Sequence, residues 1–590
     1  MDRQAILGFV LIAVILIVWM SMNSPHPTAV QENHVDSATI PVQVAQPPRQ
    51  LGEERVEKDS LGKFFSTAAT GVERILVVET DEYTAEITTK GGLIRKWEFK
   101  HYKTWDGEPV QLVDFEKGGD YSLLFNSADG KLIDTRNLFF QLSMRPWQKV
   151  VLERDDSLSI DLSVSSSTGG RIIKTFTFRN GSYSFDSRIR FEGMGQIISG
   201  FEYQVVWENG LRYAERNSVD ESSSAMAYAY SGGELAEIDA VQHAEPVKKS
   251  VSGGTDWVAT RNKYFALAII PRDVSQGAYL EGIAHPLPDN GTKEDYNIGL
   301  RMPFKGTDVE QAHFTVFIGP LDYDIVKSTS ANLDQIMSLG AAWIIRPISE
   351  WVMIPLFRFL RSFIPNYGVV IIIFSIIIKV ALHPLTKTSM KSMKRMQALQ
   401  PMMEEIRTKY KDDPQKMNKQ IMQLYKDYGV NPAGGCLPML LQLPILYALW
   451  AVFRSAIELR QANFVWWITD LSVPDVIVRL PFRLPLFGVE DVSGLALLMG
   501  ITMFIQQKMT VKDPRQKMMV WLMPIMLTLL FTSFPSGLNL YYFVFNILSI
   551  GQQMWINKEH GDQPLRMVEK KKRSGGLLSR ITKDLPRMKR

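Results

Sequence analysis

Lys379 stands in the middle of an apolar run, Tyr367–Leu385, that contains no acidic residue. Counting from Tyr367 at about 1.5 Å per residue puts it ~18 Å into a bilayer core about 30 Å thick. Ser375 and His383 lie four residues to either side, so an unbroken helix carries Ser375, Lys379 and His383 as one polar stripe. An ammonium without a carboxylate partner must face water, a backbone cluster or, by snorkelling, the lipid headgroups. The polar stripe favours a hydrated groove that opens to the cytoplasm. Other apolar runs offer walls for it: Gln442; Thr502 and Gln506; Thr528; Asn539, Tyr541, Tyr542, Asn546 and Ser549. Taken singly, each is equally well explained by hydrogen bonding between helices. A groove with a lone cation at its base attracts acidic or polar segments that must cross a membrane, and catalysis is not indicated.

Other chemistry is sparse. The single cysteine, Cys436, excludes an intramolecular disulfide and any multi-cysteine metal site. The eight histidines are scattered, and neither a metalloprotease, hydrolase, P-loop nor dinucleotide fingerprint occurs, so no cofactor is implied. His243, His285 and His313 are candidate bases for a carbohydrate enzyme, yet their spacing pairs none of them with a carboxylate. The five C-terminal apolar runs hold no Asp or Glu, which argues against an ion-coupled transporter, because such proteins place carboxylates in the membrane as relays. Of 27 methionines, 18 follow residue 386, among them Met390, Met393, Met396, Met402 and Met403. Flexible, polarizable side chains suit a surface that accepts many apolar sequences, although core filling uses them too.

The elements that would position these groups follow from patterning over 590 residues with 46% apolar and 22% charged content. Ala5–Met20 is apolar behind Arg3 and lacks a convincing cleavage site, so residues 1–23 are expected to be an uncleaved transmembrane anchor. Residues 24–72 are a flexible tether rich in Pro, Gln and charge. In 73–328 the period is two: Leu158, Ile160, Leu162 and Val164 alternate with Ser and Asp, and Asn180-Gly181 marks a hairpin turn before Tyr183, Phe185, Ile189 and Phe191. A large antiparallel all-β sandwich is predicted there. Residues 329–366, with Trp343, Trp351, Arg346, Arg358 and Arg361 interrupted by Pro347 and Pro355, are predicted to be an amphipathic helical segment in the membrane interface.

Five apolar runs follow within 367–556: Tyr367–Leu385, Gly434–Phe453, Gly494–Gln507, Met518–Phe534 and Leu538–Trp555. With the N-terminal run they make six spans of an α-helical polytopic bundle. Charge orients them. Segment 387–430 holds ten Lys/Arg against five Asp/Glu, the tail from Lys558 holds eleven against four, and the rest of the chain therefore carries 4 − 12 = −8. Basic loops stay inside, the acidic loop 456–492 lies outside, and both termini are expected to be cytoplasmic. The 387–430 loop is predicted to fold as two helices, Thr388–Lys411 and Gln415–Tyr428, in an antiparallel hairpin, with Asp413-Pro414 starting the second. The basic tail, 557–590, suits anionic lipid or ribosomal RNA.

Ordered motifs now add a resemblance. Pro384-Leu385-Thr386-Lys387 ends the second span, Tyr428-Gly429-Val430-Asn431-Pro432-Ala433-Gly434-Gly435-Cys436-Leu437-Pro438 enters the third, and Gln442-Leu443-Pro444-Ile445 follows. Glu458-Leu459-Arg460-Gln461-Ala462 and Phe534-Pro535-Ser536-Gly537-Leu538 with Tyr541-Tyr542 complete the set over about 200 residues. The chain resembles the YidC membrane protein insertases, relatives of the mitochondrial oxidase-assembly and chloroplast Albino proteins. Its anchor and external domain resemble the Gram-negative form, whose domain is similar to a galactose-mutarotase-like supersandwich; Gly254-Thr255-Asp256-Trp257-Val258-Ala259 and Tyr264-Phe265-Ala266 carry that part.

The resemblance implies an inner-membrane insertase and chaperone with a periplasmic domain and a groove open to lipid and cytoplasm. It places a cation at the position of Lys379, where the family often has arginine, and lines the groove with Ser375, Gln442 and Tyr542. Nascent membrane proteins would be the substrates. The Sec translocon, the ribosome and signal recognition components would meet the hairpin and tail. A solute transporter with an external carbohydrate-binding domain and an anchored sugar epimerase are the competing readings.

Overall fold

Alternate burial builds the sheets. In Ser157–Ser165 the buried side chains include Ile160, Leu162 and Val164, every second residue, and the strand pairs antiparallel with Arg171–Arg179, which pairs with Ser184–Glu192. Between the latter two, Gly181 sits at φ +69°, a left-handed conformation that glycine adopts without a Cβ clash. The computed structural model describes residues 61–143, 149–240, 245–288, 291–430, 437–484, 489–511 and 517–559, and the chain divides into two units between Ser338 and Leu339. The N-terminal run, residues 431–436 and the basic tail lie outside the described residues.

Those three strands belong to a nine-stranded sheet, accompanied in the first unit by a five-stranded and a six-stranded sheet. One face of the nine-stranded sheet is covered by both others. Trp97 of Leu93–Lys103 lies against Phe178 and Phe185, Phe99 stacks on Phe265 at 5.3 Å, and Tyr203 of Ile198–Trp207 meets Phe191 edge-on at 4.8 Å. The same inner face carries Lys174, fully buried, whose Nζ donates to the carbonyls of Gly91, Gly92 and Tyr121 at 3.0, 3.2 and 3.0 Å. Gly91 and Gly92 form a turn of the five-stranded sheet and Tyr121 enters the six-stranded one, so one side chain ties three sheets.

The segment expected as one interfacial stretch, 329–366, is divided. Leu333, Ile336 and Met337 are buried with the sheets, where the Arg261 guanidinium donates to the Ile336 carbonyl at 2.9 Å and to Ser338 Oγ at 3.0 Å. From Leu339 onward the chain belongs to the second unit, in which Trp343 and Trp351 are exposed.

The second unit is helical: α1 (Ile354–Arg361), α2 (Tyr367–Ala381), α3 (His383–Ala398), α4 (Gln400–Lys409), α5 (Pro414–Asp427), α6 (Leu437–Ser455), α7 (Gly494–Thr510), α8 (Lys517–Phe531) and α9 (Ser536–Glu559). Proline corrects two expectations. The helix predicted to run to Leu385 stops at Ala381, and Thr386–Ala398 continues at 66° to it. Pro384 has no N–H and would press on the carbonyl of Val380 four residues back. Pro401 likewise splits the predicted Thr388–Lys411 helix into α3 and α4. Among the described residues no single helix is long and apolar enough to cross a membrane, although α2 and the bent continuation are so together. A hairpin of Val476–Leu484 with Val489–Ser493, in the loop expected outside, was not anticipated.

α5 is capped by Asp413, whose carboxylate accepts from the amide of Lys416 at 3.0 Å. Around it, Leu399, Met403 and Val430 form a small core with Met396, Met402, Ile421, Leu424, Tyr425 and Tyr428 against it. α7 starts at Ser493, whose Oγ accepts from Ala496 N at 3.1 Å while Asp475 receives Leu495 N at 2.8 Å and Trp467 Nε1 at 2.9 Å. A carboxylate at that end opposes the helix's partial positive charge.

Candidate functional site

Residues 541, 545, 549 and 552 are four, four and three apart, so Tyr541, Phe545, Ser549 and Gln552 share one face of α9. That face meets α2. Lys379 is 8% exposed, its Nζ donates to Ser549 Oγ at 2.6 Å, and the ammonium lies 4.4 Å from the centre of the Phe545 ring. Ser549 Oγ in turn donates to the Phe545 carbonyl at 2.7 Å. No carboxylate lies within ion-pair distance of Lys379 among the described residues.

The polar stripe expected on one helix is broken up. Ser375 is fully buried, and its hydroxyl returns to the Ile371 carbonyl of its own helix at 2.7 Å, a bond that satisfies it locally. His383 falls on α3, beyond the break at Leu382; Gln552 Nε2 lies 3.0 Å from both His383 Nδ1 and Thr386 Oγ1, and the imidazole stacks on Trp555. Lys379 and His383 therefore address different turns of α9.

The remaining expected lining residues distribute as follows. Tyr541 and Tyr542 are buried beside each other, and both hydroxyls are without a hydrogen-bond partner among the described residues. Asn546 approaches Thr502 Oγ1 at 3.5 Å, joining α9 to α7, while Thr502 also donates to the Met499 carbonyl at 2.8 Å. Gln442 on α6 and Gln506 on α7 are half-buried. Of the methionines, Met403 is buried and Met396 and Met402 pack with it against α5, the core-filling use of such side chains. A two-helix element needs some core of its own, and these side chains supply it. Met390 and Met393 are half-buried outside that cluster.

Phe545, Thr386 and Gln552 were missed. Their signal was present in the spacing: Phe545 and Gln552 extend the Tyr541–Ser549 row, and Thr386 lies three residues beyond His383. The histidines of the sheet unit also depart from expectation. Pairing of strands brings His285 Nε2 to 3.6 Å from Asp295 and His313 Nδ1 to 3.5 Å from Asp273, the first exposed and the second half-buried, both at the limit of hydrogen bonding. His243 lies outside the described residues.

Residues 359–563 match the family described as 60Kd inner membrane protein, and residues 75–351 match the YidC periplasmic domain. The membrane protein insertase YidC of Chloroherpeton thalassium is 39% identical over 97% of this chain and 98% of its own. The chain belongs to the YidC membrane protein insertase family. YidC of Chlorobaculum parvum is also 39% identical, covering 95% of this chain and 96% of its own. A crystal structure of an active YidC insertase with its first transmembrane domain resolved covers 84% of this chain and 94% of that one, at 19% identity and a TM-score of 0.35. In this YidC-family chain the β-rich unit is the periplasmic domain, the helical unit is the inner-membrane part, and the family is named for insertion rather than for catalysis.

Proposed function

We propose that the chain inserts and chaperones nascent membrane proteins through a groove whose base is Lys379. The observation that carries this reading is a cation in the last turn of an apolar helix, held among the described residues by neutral groups, a hydroxyl and a ring. Such an arrangement keeps its full charge for a visitor. Ser375, His383, Gln442, Thr502, Gln506, Tyr541, Tyr542 and Asn546 are the proposed walls, on α2, α3, α6, α7 and α9. The tyrosine hydroxyls, without a partner among the described residues, support a site that offers polar contacts to a passing segment.

In this reading six spans cross the inner membrane, with the 1–23 anchor first, both termini cytoplasmic and the sheet unit periplasmic. Helices α3 to α5 form the cytoplasmic hairpin, where Met390 and Met393, with the exposed Met422 of α5, meet the apolar substrate helix. Its polar flank enters near Lys379 while the apolar segment passes into lipid, driven by burial at ~25 cal/mol per Å². The basic hairpin and tail are the proposed contacts for ribosome, signal recognition components, Sec translocon and anionic lipid.

The test is insertion into proteoliposomes containing this protein alone, read as protease protection of a short single-span substrate with an acidic external tail. Lys379→Ala is expected to lower protection and Lys379→Arg to retain most of it. Equal activity of all three proteins would remove Lys379 from the mechanism.

A further inference from the structure

The Lys379 stem gives its ammonium two destinations, the inner headgroup region by snorkelling or the facing helix. It takes the second, and the groups that receive it are unusually specific in their chemistry. Ser549 has committed its own proton to the Phe545 carbonyl at 2.7 Å, so its lone pairs are what the ammonium meets at 2.6 Å. The Phe545 ring lies 4.4 Å away, within cation–π range. That ring is itself held by Tyr541, stacked on it at 5.7 Å, and Tyr541 leans on Phe374 of α2 at 6.2 Å. Both receiving groups are neutral. They fix where the charge sits without cancelling it, and an ammonium has three donors, of which Ser549 takes one.

We infer that Ser549 and Phe545 are positioning residues that hold the Lys379 charge against α9 for an acidic segment of the substrate. The inference rests on the groove reading above and assigns a specificity role to two residues of α9. Removing either leaves the lysine and its charge in place but frees the stem to swing towards the inner leaflet. The loss should therefore fall on substrates with acidic tails more than on substrates with neutral ones. A packing role would reduce both alike.

A double-mutant cycle in proteoliposomes tests this, with two single-span substrates that differ in whether the external tail is acidic or neutral. The readout is the ratio of acidic to neutral tails protected. Lys379→Ala should lower that ratio by about fivefold, and Ser549→Ala and Phe545→Leu by a similar factor. Combining either with Lys379→Ala should lower it no further, and Ser549→Thr, which keeps the hydroxyl, should restore it. An unchanged ratio in Ser549→Ala and Phe545→Leu, an equal fall for both substrates, or an additional fall in the Lys379→Ala background would overturn the positioning role and leave the groove reading standing. An unchanged ratio in Lys379→Ala would sink the groove reading and the positioning role with it.

Discussion

At the scale of the residue, two lysines among the described residues are buried without a carboxylate bond, and their surroundings differ. Lys379 gives one donor to a hydroxyl and faces a ring, whereas Lys174 spends its three donors on backbone carbonyls inside the sheets. Burial holds Lys174 well below the ordinary lysine range, at about 7. Replacing it by methionine keeps the volume but leaves three buried carbonyls without donors, each costing about 1–3 kcal/mol. Lys174→Met should therefore lower the stability of the sheet unit by several kcal/mol, on the order of 3, seen in urea unfolding of the full chain followed by tryptophan fluorescence. A midpoint equal to that of the unmodified protein would contradict the three-carbonyl role. The apolar run around Lys379 separates it from surface lysines in the sequence, whereas only register separates Lys174. Lys174 falls on the inward parity of Ile172, Phe176 and Phe178, where alternation predicts an apolar residue. Ser549 and Phe545 were visible only as a row on a helix, because their partner lies 170 residues away from Ser549 in the chain.

Elements follow the sequence where one strong local rule governs them. Strands 157–192 were legible because burial alternates without a gap and Asn180-Gly181 supplies a turn. Helices broken by proline were legible in principle, yet the apolar residues around Leu382 continue the helical pattern past the break and hide it. The Val476–Ser493 hairpin was illegible because its strands are unequal and bulged, so no clean alternation marks it. The packing of α7 on α8 depends on a glycine. A Cβ at Gly500 would collide with Thr528 Oγ1 and lie 3.1 Å from Thr528 Cβ, and Thr528 Oγ1 donates to the Pro524 carbonyl at 2.7 Å. Gly500→Ala should lower the yield of monodisperse protein and its melting temperature in detergent. Adding Thr528→Ala should recover part of the loss, since the nearest atom is then gone; a melting temperature unaffected by Gly500→Ala would refute the close contact.

At the scale of the whole molecule, the sheet unit is built around acids that prefer to be neutral. Burial pushes Glu221 up to about 8, Glu294 to about 7 and Asp120 to about 7, although Glu221 accepts the amides of Ala214 and Glu215, and Asp120 those of Tyr121 and Glu208. Each binds its proton more tightly folded than unfolded. Their contribution to stability is thus full below the ordinary carboxyl range and is lost as pH rises through about 7 to 8. Lys174 acts only above its own value of about 7, and the lowered carboxyls Glu79, Asp129 and Glu281 act only in more acid solution. Thermal unfolding of the periplasmic unit within the full chain should accordingly begin lower at pH 7 than at pH 5. Glu221→Gln should reduce that difference, and an onset independent of pH across this window would count against the raised proton affinity of these buried acids.

The lysine that joins three sheets also imposes an order of events on the growing chain. Gly91 and Gly92 precede Lys174 by 83 and 82 residues, and Tyr121 precedes it by 53. The first sheet also waits for Lys149–Val151, its parallel strand against Ile75–Glu79. Strands made early thus leave the ribosome with unfilled acceptors and an open edge, and distant closures of this kind are slow. The periplasmic unit of this insertase can pair its first strands locally, yet it cannot close that sheet's edge or satisfy those three carbonyls until Lys149–Val151 and Lys174 have been made.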